Sequence, residues 1–271
     1  MDNARISLTD IEYGKHERQK VDIFIPWQIK SDSGVILFIH GGGWHQGDKA
    51  GHYHDCEHFC SLGYICATMN YRFVSEELSV FDELDDVTSA LKAVKEKCAE
   101  LGFNIDKAIL SGGSAGSHLS LMYAYTRSSE APVPIAAVCV YCPPVDCSKP
   151  DFLLGISGEF ENWKYDILSK CCGVKLTKET FMNDEQQAAL KRISPTEYVS
   201  PDVVPTAIFQ GKADELIPYE HTLAFLGLLT ENKIKNDLVT YENSGHALDK
   251  DPEAASEARE VFSAYAQTYL T

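Results

Sequence analysis

The stretch Leu110-Ser111-Gly112-Gly113-Ser114-Ala115-Gly116-Ser117-His118 sets Gly-x-Ser-x-Gly, at Gly112, Ser114 and Gly116, between an apolar run and a stretch of helical period. A serine at a sharp strand-to-helix turn sits in strained backbone, and tiny flanking residues let neighbouring backbone pass close by. The spacing therefore predicts Ser114 Oγ exposed at the edge of a sheet. Taken alone, the pentapeptide equally fits a glycine-rich helix entry with a serine near the N-cap. The rest of the chain has to decide.

Upstream, His40-Gly41-Gly42-Gly43-Trp44 follows the apolar run Val35-Ile36-Leu37-Phe38-Ile39. Three consecutive glycines let backbone N–H groups turn toward a ligand, which a flexible linker placed directly after a buried strand would not explain. Such donors stabilise the oxyanion formed when a nucleophile adds to a carbonyl, and losing one costs about 3–4 kcal/mol of barrier. Gly42, Gly43 and Ala115 are the candidate donors. Further strands are predicted at 21–25, 34–40, 65–70, 107–111, 134–141, 204–210 and 237–241, from short β-branched or aromatic runs. Helices are predicted at 82–101, 116–125, 219–229 and 252–269. In the first of these, Leu84, Val87, Leu91, Val94 and Cys98 recur at helical spacing behind an acidic start, 82–86, expected to be solvated. This alternation predicts an α/β fold with a mostly parallel sheet flanked by helices, its first two strands paired as an antiparallel hairpin at one edge. Residues 151–193 interrupt the alternation and are read as a small helical, cap-like insertion in a single domain, 1–271.

The chain has 271 residues, 44% of them hydrophobic, enough for one large core without disulfides or structural metal. Forty acidic against 24 basic residues give a formal charge of −16. Such a surface repels nucleic acid and anionic membranes. The longest apolar runs, such as 34–39 and 134–141, fall far short of the roughly 20 residues a membrane helix needs. Met1-Asp2-Asn3-Ala4-Arg5 lacks the basic start and apolar stretch of a signal peptide. Nine cysteines, an odd and sparse set, fit reduced thiols in the cytoplasm. A homodimer is left open.

A serine nucleophile needs a histidine base, and the downstream candidates are His118, His221 and His246. His118 lies one turn into the helix after Ser114 and is read as structural. His221 opens a helix after Pro218. His246, in Asn243-Ser244-Gly245-His246-Ala247, falls in a loop after the last strand that can hold an imidazole over the sheet edge. The orienting carboxylate is expected after a late strand, and Asp214, in Gln210-Gly211-Lys212-Ala213-Asp214, leads; Asp146, after the preceding strand, is the alternative, and Glu215 is read as solvated. The order Ser114, Asp214, His246 is that of α/β-hydrolases.

On these residues the chain resembles the α/β-hydrolase superfamily, and within it the small bacterial carboxylesterases related to the hormone-sensitive-lipase branch. The resemblance runs over nearly the whole chain. Asn70-Tyr71-Arg72, Ser194-Pro195, Ile217-Pro218 and Gly245-His246 carry it beside the glycine loop and the serine motif. The branch often has Asp where this chain has Gly113, and His-Gly where it has Gln210-Gly211. The resemblance implies a serine carboxylesterase acting on a small-molecule ester, with no cofactor and no metal, and with Trp44 and Tyr71 touching substrate. Acyl chains of about two to six carbons are expected, because no apolar lid is evident. An arylformamidase or amidase and a carbohydrate acetyl esterase are alternatives on the same triad; a non-catalytic ligand-binding protein on the hydrolase fold is the alternative of another class. The run His52, His54, Cys56, His58 and Cys60 has metal-ligating residue types but no second ligand pair at a standard spacing, and is read as an exposed amphipathic helix.

Overall fold

All six residues of β3 (Gly34–Ile39) and of β7 (Thr206–Gly211), and all five of β4 (Ile65–Met69), are buried. Such continuous apolar runs belong to a sheet covered on both faces. With β1 (Ala4–Glu12), β2 (Lys20–Pro26), β5 (Lys107–Gly113), β6 (Ile135–Tyr141) and β8 (Asn236–Tyr241) they form one eight-stranded sheet in the order β1-β2-β4-β3-β5-β6-β7-β8. Pairing is parallel from β4 through β8 and antiparallel where β2 meets β1 and β4. The computed structural model describes residues 2–31, 33–153 and 161–271.

The helices α1 (Tyr53–Ser61) and α7 (Pro252–Leu270) cover one face of the sheet, where Phe38, Phe59 and Phe262 meet in one apolar cluster. On the other face lie α2 (Val80–Glu100), α3 (Ala115–Thr126) and α6 (Tyr219–Glu231), packing Leu84, Leu91, Leu119 and Phe225 against Leu37 and Leu110. The stretch 151–193 carries α4 (Glu161–Cys172) and α5 (Asp184–Arg192), and no strand among its described residues. Phe152, Ile167, Leu168 and Leu190 tie it into the same core. Residues 154–160 of the predicted insertion lie outside the described residues.

Four expectations need correction. The antiparallel edge exists, but β2 pairs with β1 and β4, not with β3. The strand β3 is buried at every position and so takes a place inside the sheet, whereas the edge falls to β1, whose exposure alternates. That strand was not predicted because its register shifts between Leu8 and Ile11, at a bulge where Asp10 has φ 56°, so the period-two pattern breaks halfway. The acidic run 82–86 is only half solvated: Glu83 and Asp86 share the inner face of α2 with Leu84 and Val87, and both are fully buried. Asp86 is paired with Arg72, 2.8 Å to Nη2, while burial and then the Asp86 charge push the Glu83 carboxyl well above its usual range. Finally, α1 is amphipathic but not simply exposed, since Cys56, Phe59 and Cys60 are packed beneath the sheet.

The turn from β5 into α3 is where the fold is tightest. A Cβ built on Gly116 would stand 1.9 Å from the Ile39 carbonyl oxygen, and one on Gly112 would stand 2.3 Å from it. Neither overlap can be relieved by turning a side chain, because the obstacle is the backbone of β3. At Gly113 a Cβ would meet nothing within 4 Å. Gly116→Ala is therefore expected to destabilise the fold by more than about 3 kcal/mol or to prevent folding, and Gly113→Ala to stay within about 1 kcal/mol of wild type. Urea unfolding of the two variants checks this; equal stability would mean that the turn relaxes.

Candidate active site

Ser114 stands between β5 and α3 with φ 53° and ψ −119°, a left-handed conformation that a non-glycine residue adopts only when its surroundings impose it. Here they do: Ser114 N–H donates to Tyr141 O at 2.8 Å, and Ser117 Oγ lies 2.6 Å from Gly112 O while accepting the Tyr141 N–H at 3.0 Å. The result is a serine hydroxyl projected off the carboxyl edge of the sheet. Its partner comes from the loop after β8: His246 Nε2 is 2.9 Å from Ser114 Oγ, and His246 Nδ1 is 2.8 Å from Asp214 Oδ2.

Asp214 is held from three sides. Its Oδ1 accepts the N–H groups of Leu216 and Ile217, both at 2.9 Å, and Gln210 Nε2 donates to Oδ2 at 3.0 Å. Burial alone would raise this carboxyl, but the hydrogen bond from His246, its charge and the two backbone N–H groups outweigh it and hold Asp214 below the usual carboxylate range. The segments carrying Asp214 and His246 are joined directly, through Ala213 N–H to Ser244 O at 3.0 Å and Lys212 N–H to Tyr241 O at 2.9 Å. Asp146, the alternative acid, instead accepts Ser148 N–H at 3.0 Å and Ser148 Oγ–H at 2.6 Å, and makes no contact with His246. His221 turns away to Asp151 at 3.0 Å, and Glu215 is exposed. His118 is buried and structural: Trp44 Nε1–H donates to its Nδ1 at 3.1 Å, which leaves the proton on Nε2, 2.6 Å from Ile193 O.

The glycine loop is braced from behind. His40 stacks on Tyr71 with ring centroids 4.3 Å apart, and Tyr71 Oη–H donates to His40 O at 2.9 Å. An arginine donates only, so the 3.1 Å contact of Arg18 Nη2 with His40 Nε2 assigns the ring proton to Nδ1, which donates to Gly41 O at 2.7 Å. Arg18 also bonds Tyr71 O and Gly47 O, at 2.8 and 3.0 Å, and lies over Phe73. Gly42 and Gly43 have φ of 114° and 58°. Their N–H groups and that of Ala115 make no hydrogen bond within the chain among the described residues.

Two cavities open on Ser114 and His246. The smaller, 280 Å³, is walled by Phe152, Leu153, Trp163, Leu216 and Ile217 and is mainly apolar. The larger, 650 Å³, runs toward α1 and α7, with His54, His58, Tyr141, Tyr241 and Arg259 on its walls. The His52–Cys60 run is thereby split, its outer histidines on this cavity and Cys56 and Cys60 in the core. Tyr71 lines neither cavity and is fully buried, so the expected substrate contact becomes support for the loop. Trp44 reaches the smaller cavity but is 2% exposed and tied to His118. Sequence reasoning missed Gln210 and Arg18, which act through other residues, and Phe152, Leu153 and Trp163, whose position depends on how 151–193 folds back.

Burial holds His40 and His118 down to about 4. Both are neutral in the folded state and regain an ordinary pKa near 6.5 on unfolding. Their contribution to stability is complete above pH 6.5 and is lost as pH falls from there toward 4, on the order of 3 kcal/mol each. Urea midpoints measured from pH 7 to pH 4.5 are expected to fall steadily; a flat profile over that window would contradict the buried neutral state.

The family model BD-FAE matches residues 21–229. Among curated relatives, the probable carboxylic ester hydrolase LipM of Mycobacterium tuberculosis is 28% identical over 243 residues, covering 82% of this chain and 51% of that protein. A probable isoprenylcysteine alpha-carbonyl methylesterase of Oryza sativa is 24% identical over 252 residues, covering 87% and 56%. The chain thus spans about half the length of the curated relatives it matches. Among solved structures, esterase B from Lactobacillus rhamnosis superposes with a TM-score of 0.75 at 21% identity, covering 97% of this chain and 86% of that one. The apo form of Thermogutta terrifontis esterase 2 does so with a TM-score of 0.72 at 23% identity, covering 100% and 97%. These likenesses establish the α/β-hydrolase fold, and since the family model spans most of the sequence, the chain belongs to the BD-FAE family.

Proposed function

We propose that the chain is a serine carboxylesterase in which Ser114 is the nucleophile, His246 the base and Asp214 the orienting acid. The observation that carries this reading is the unbroken chain from Ser114 Oγ through His246 to Asp214, with links of 2.9 and 2.8 Å, at the mouth of two cavities. Ser114 Oγ attacks the ester carbonyl carbon as His246 Nε2 takes its proton. The oxyanion is received by the N–H groups of Gly42, Gly43 and Ala115, which have no other partner in the chain among the described residues. Collapse expels the alcohol with the proton from His246, and water, activated by the same imidazole, releases the acid from the acyl-enzyme. Asp214 keeps the proton on Nδ1, so that Nε2 stays free to accept. The complete set of three groups favours catalysis over ligand binding alone.

The two cavities divide the substrate. The smaller, more apolar one fits a short acyl chain, about two to six carbons, and the larger one, with histidines, tyrosines and Arg259 on its walls, an alcohol that carries polar groups. Names of relatives that contain ester hydrolase and methylesterase agree with ester cleavage. Nine free, buried thiols fit a reducing compartment such as the cytoplasm.

Ser114→Ala is expected to lose both p-nitrophenyl butyrate hydrolysis and covalent labelling by a fluorophosphonate; labelling that survives would move the nucleophile elsewhere. Asp214→Asn, which leaves His246 in the wrong tautomer, is expected to lose at least about 100-fold in kcat, and Asp146→Asn less than about tenfold. The reverse ranking would assign the acid to the earlier strand. Trp163→Ala enlarges the apolar cavity and is expected to raise the octanoate-to-butyrate ratio of kcat/KM at least about fivefold, a fraction of what burying the extra methylenes can yield. An unchanged ratio would put the acyl chain in the other cavity.

A further inference from the structure

Cys142 directly follows β6. Its φ of 47° turns the residue off the strand line, and its N–H donates to Phe209 O at 2.9 Å, which fixes it beside the acid and base loops. The Sγ lies 3.6 Å from His246 O. Among the described residues, Cys142, Asp214 and His246 are the one group of three metal-ligating side chains whose ligand atoms, a thiol sulfur, a carboxylate oxygen and an imidazole nitrogen, all fall within 4.8 Å of one another. Adjacent ligand atoms around a tetrahedral zinc ion stand about 3.3–3.8 Å apart, given bonds of roughly 2.0–2.3 Å. The widest separation in the group therefore exceeds that spacing by no more than about 1.5 Å. Cys142 and His246 also border the 650 Å³ cavity, which gives a hydrated ion a way in.

We propose that Cys142, Asp214 and His246 form a zinc-binding site whose occupation switches the catalytic triad off reversibly; this rests on the triad assignment above. Binding forms a sulfur–zinc bond, a carboxylate–zinc bond and a bond from the Nδ1 lone pair, and the Cys142 thiol gives its proton to solvent. The neutral imidazole keeps its single proton, which passes from Nδ1 to Nε2. An Nε2–H facing Ser114 Oγ has no lone pair with which to accept the serine proton, so the nucleophile is not activated. No electrons change hands. A thiolate with an imidazole favours zinc over the harder magnesium and calcium ions.

The test uses the whole chain freed of metal with EDTA and then dialysed. Zinc chloride is expected to inhibit p-nitrophenyl butyrate hydrolysis with one-to-one stoichiometry, EDTA to restore the rate, and magnesium chloride at the same concentration to do nothing. Cys142→Ala, compared with its own metal-free rate, is expected to need at least about tenfold more zinc for half inhibition; Cys142→Ser replaces it if the alanine variant does not fold. With cobalt in place of zinc, the wild type is expected to show a thiolate-to-metal charge-transfer band in the near ultraviolet that both variants lack. The double variant His54→Ala/His58→Ala is expected to stay as zinc-sensitive as wild type. Equal zinc sensitivity in the Cys142 variants, loss of sensitivity in the histidine double variant, or absence of the cobalt band overturns the site. Because the band is read without substrate, a protein that binds cobalt through Cys142 but hydrolyses no ester would contradict the esterase reading and leave the metal site standing.

Discussion

The carbonyl oxygen of Ile39 lies against the backbone of Gly112 and Gly116, and the site depends on that approach. A Cβ at either glycine would overlap it, standing only 2.3 Å away at Gly112 and 1.9 Å away at Gly116. Because β3 and β5 are adjacent parallel strands, this contact brings the end of one strand, where the glycine loop begins, to the start of α3, where Ser114 is exposed. The left-handed backbone of Ser114 is an unfavourable local state, costing on the order of 1–3 kcal/mol, and it persists because strand pairing and the hydrogen bonds of Tyr141 leave no alternative path. Ser114 and the N–H groups of the glycine loop are thus placed by the same packing contact.

A second junction, between the loops after β7 and β8, positions His246. Gly211 is so close to Gly245 that a Cβ there would lie 2.3 Å from its carbonyl oxygen, and two backbone hydrogen bonds close the seam. Asp214 and His246 are therefore held by a single joined pair of loops. The buried carboxylate would be costly if left unsatisfied, and it accepts two backbone N–H groups, an amide and the imidazole instead. Arg18 performs the same service for the glycine loop, fixing the His40 tautomer whose Nδ1–H donates to Gly41 O. In both places side chains and backbone groups away from Ser114, Gln210 and Arg18 among them, help hold the polar groups.

The residues that meet at the sheet edge were legible in the sequence because they lie in short-range patterns: a glycine spacing around Ser114, a glycine run after an apolar strand, and an Asp and a His each following a late strand. The parallel strands were legible too, since burial on both faces leaves continuous apolar runs. What escaped depended on long-range packing. The edge strand β1 hides behind the bulge at Asp10, and β4 enters between β2 and β3 for reasons no local pattern records. Tyr71 has a residue type that suits a substrate pocket, yet its ring is taken by His40. Glu83 and Asp86 read as solvent-facing charges, but their spacing with Leu84 and Val87 turns them inward, where Asp86 finds Arg72. Gln210 carries no mark of its role in the sequence, and only the tertiary contact shows that its amide donates to Asp214.

The most direct test of this account is a crystal structure of the adduct with a short-chain alkyl phosphonate. The account predicts phosphorus bonded to Ser114 Oγ, a phosphoryl oxygen about 2.7–3.1 Å from the N–H groups of Gly42, Gly43 and Ala115, and the alkyl chain against Phe152 and Trp163. Phosphorus on any other side chain, or a phosphoryl oxygen turned away from the glycine loop, would contradict it.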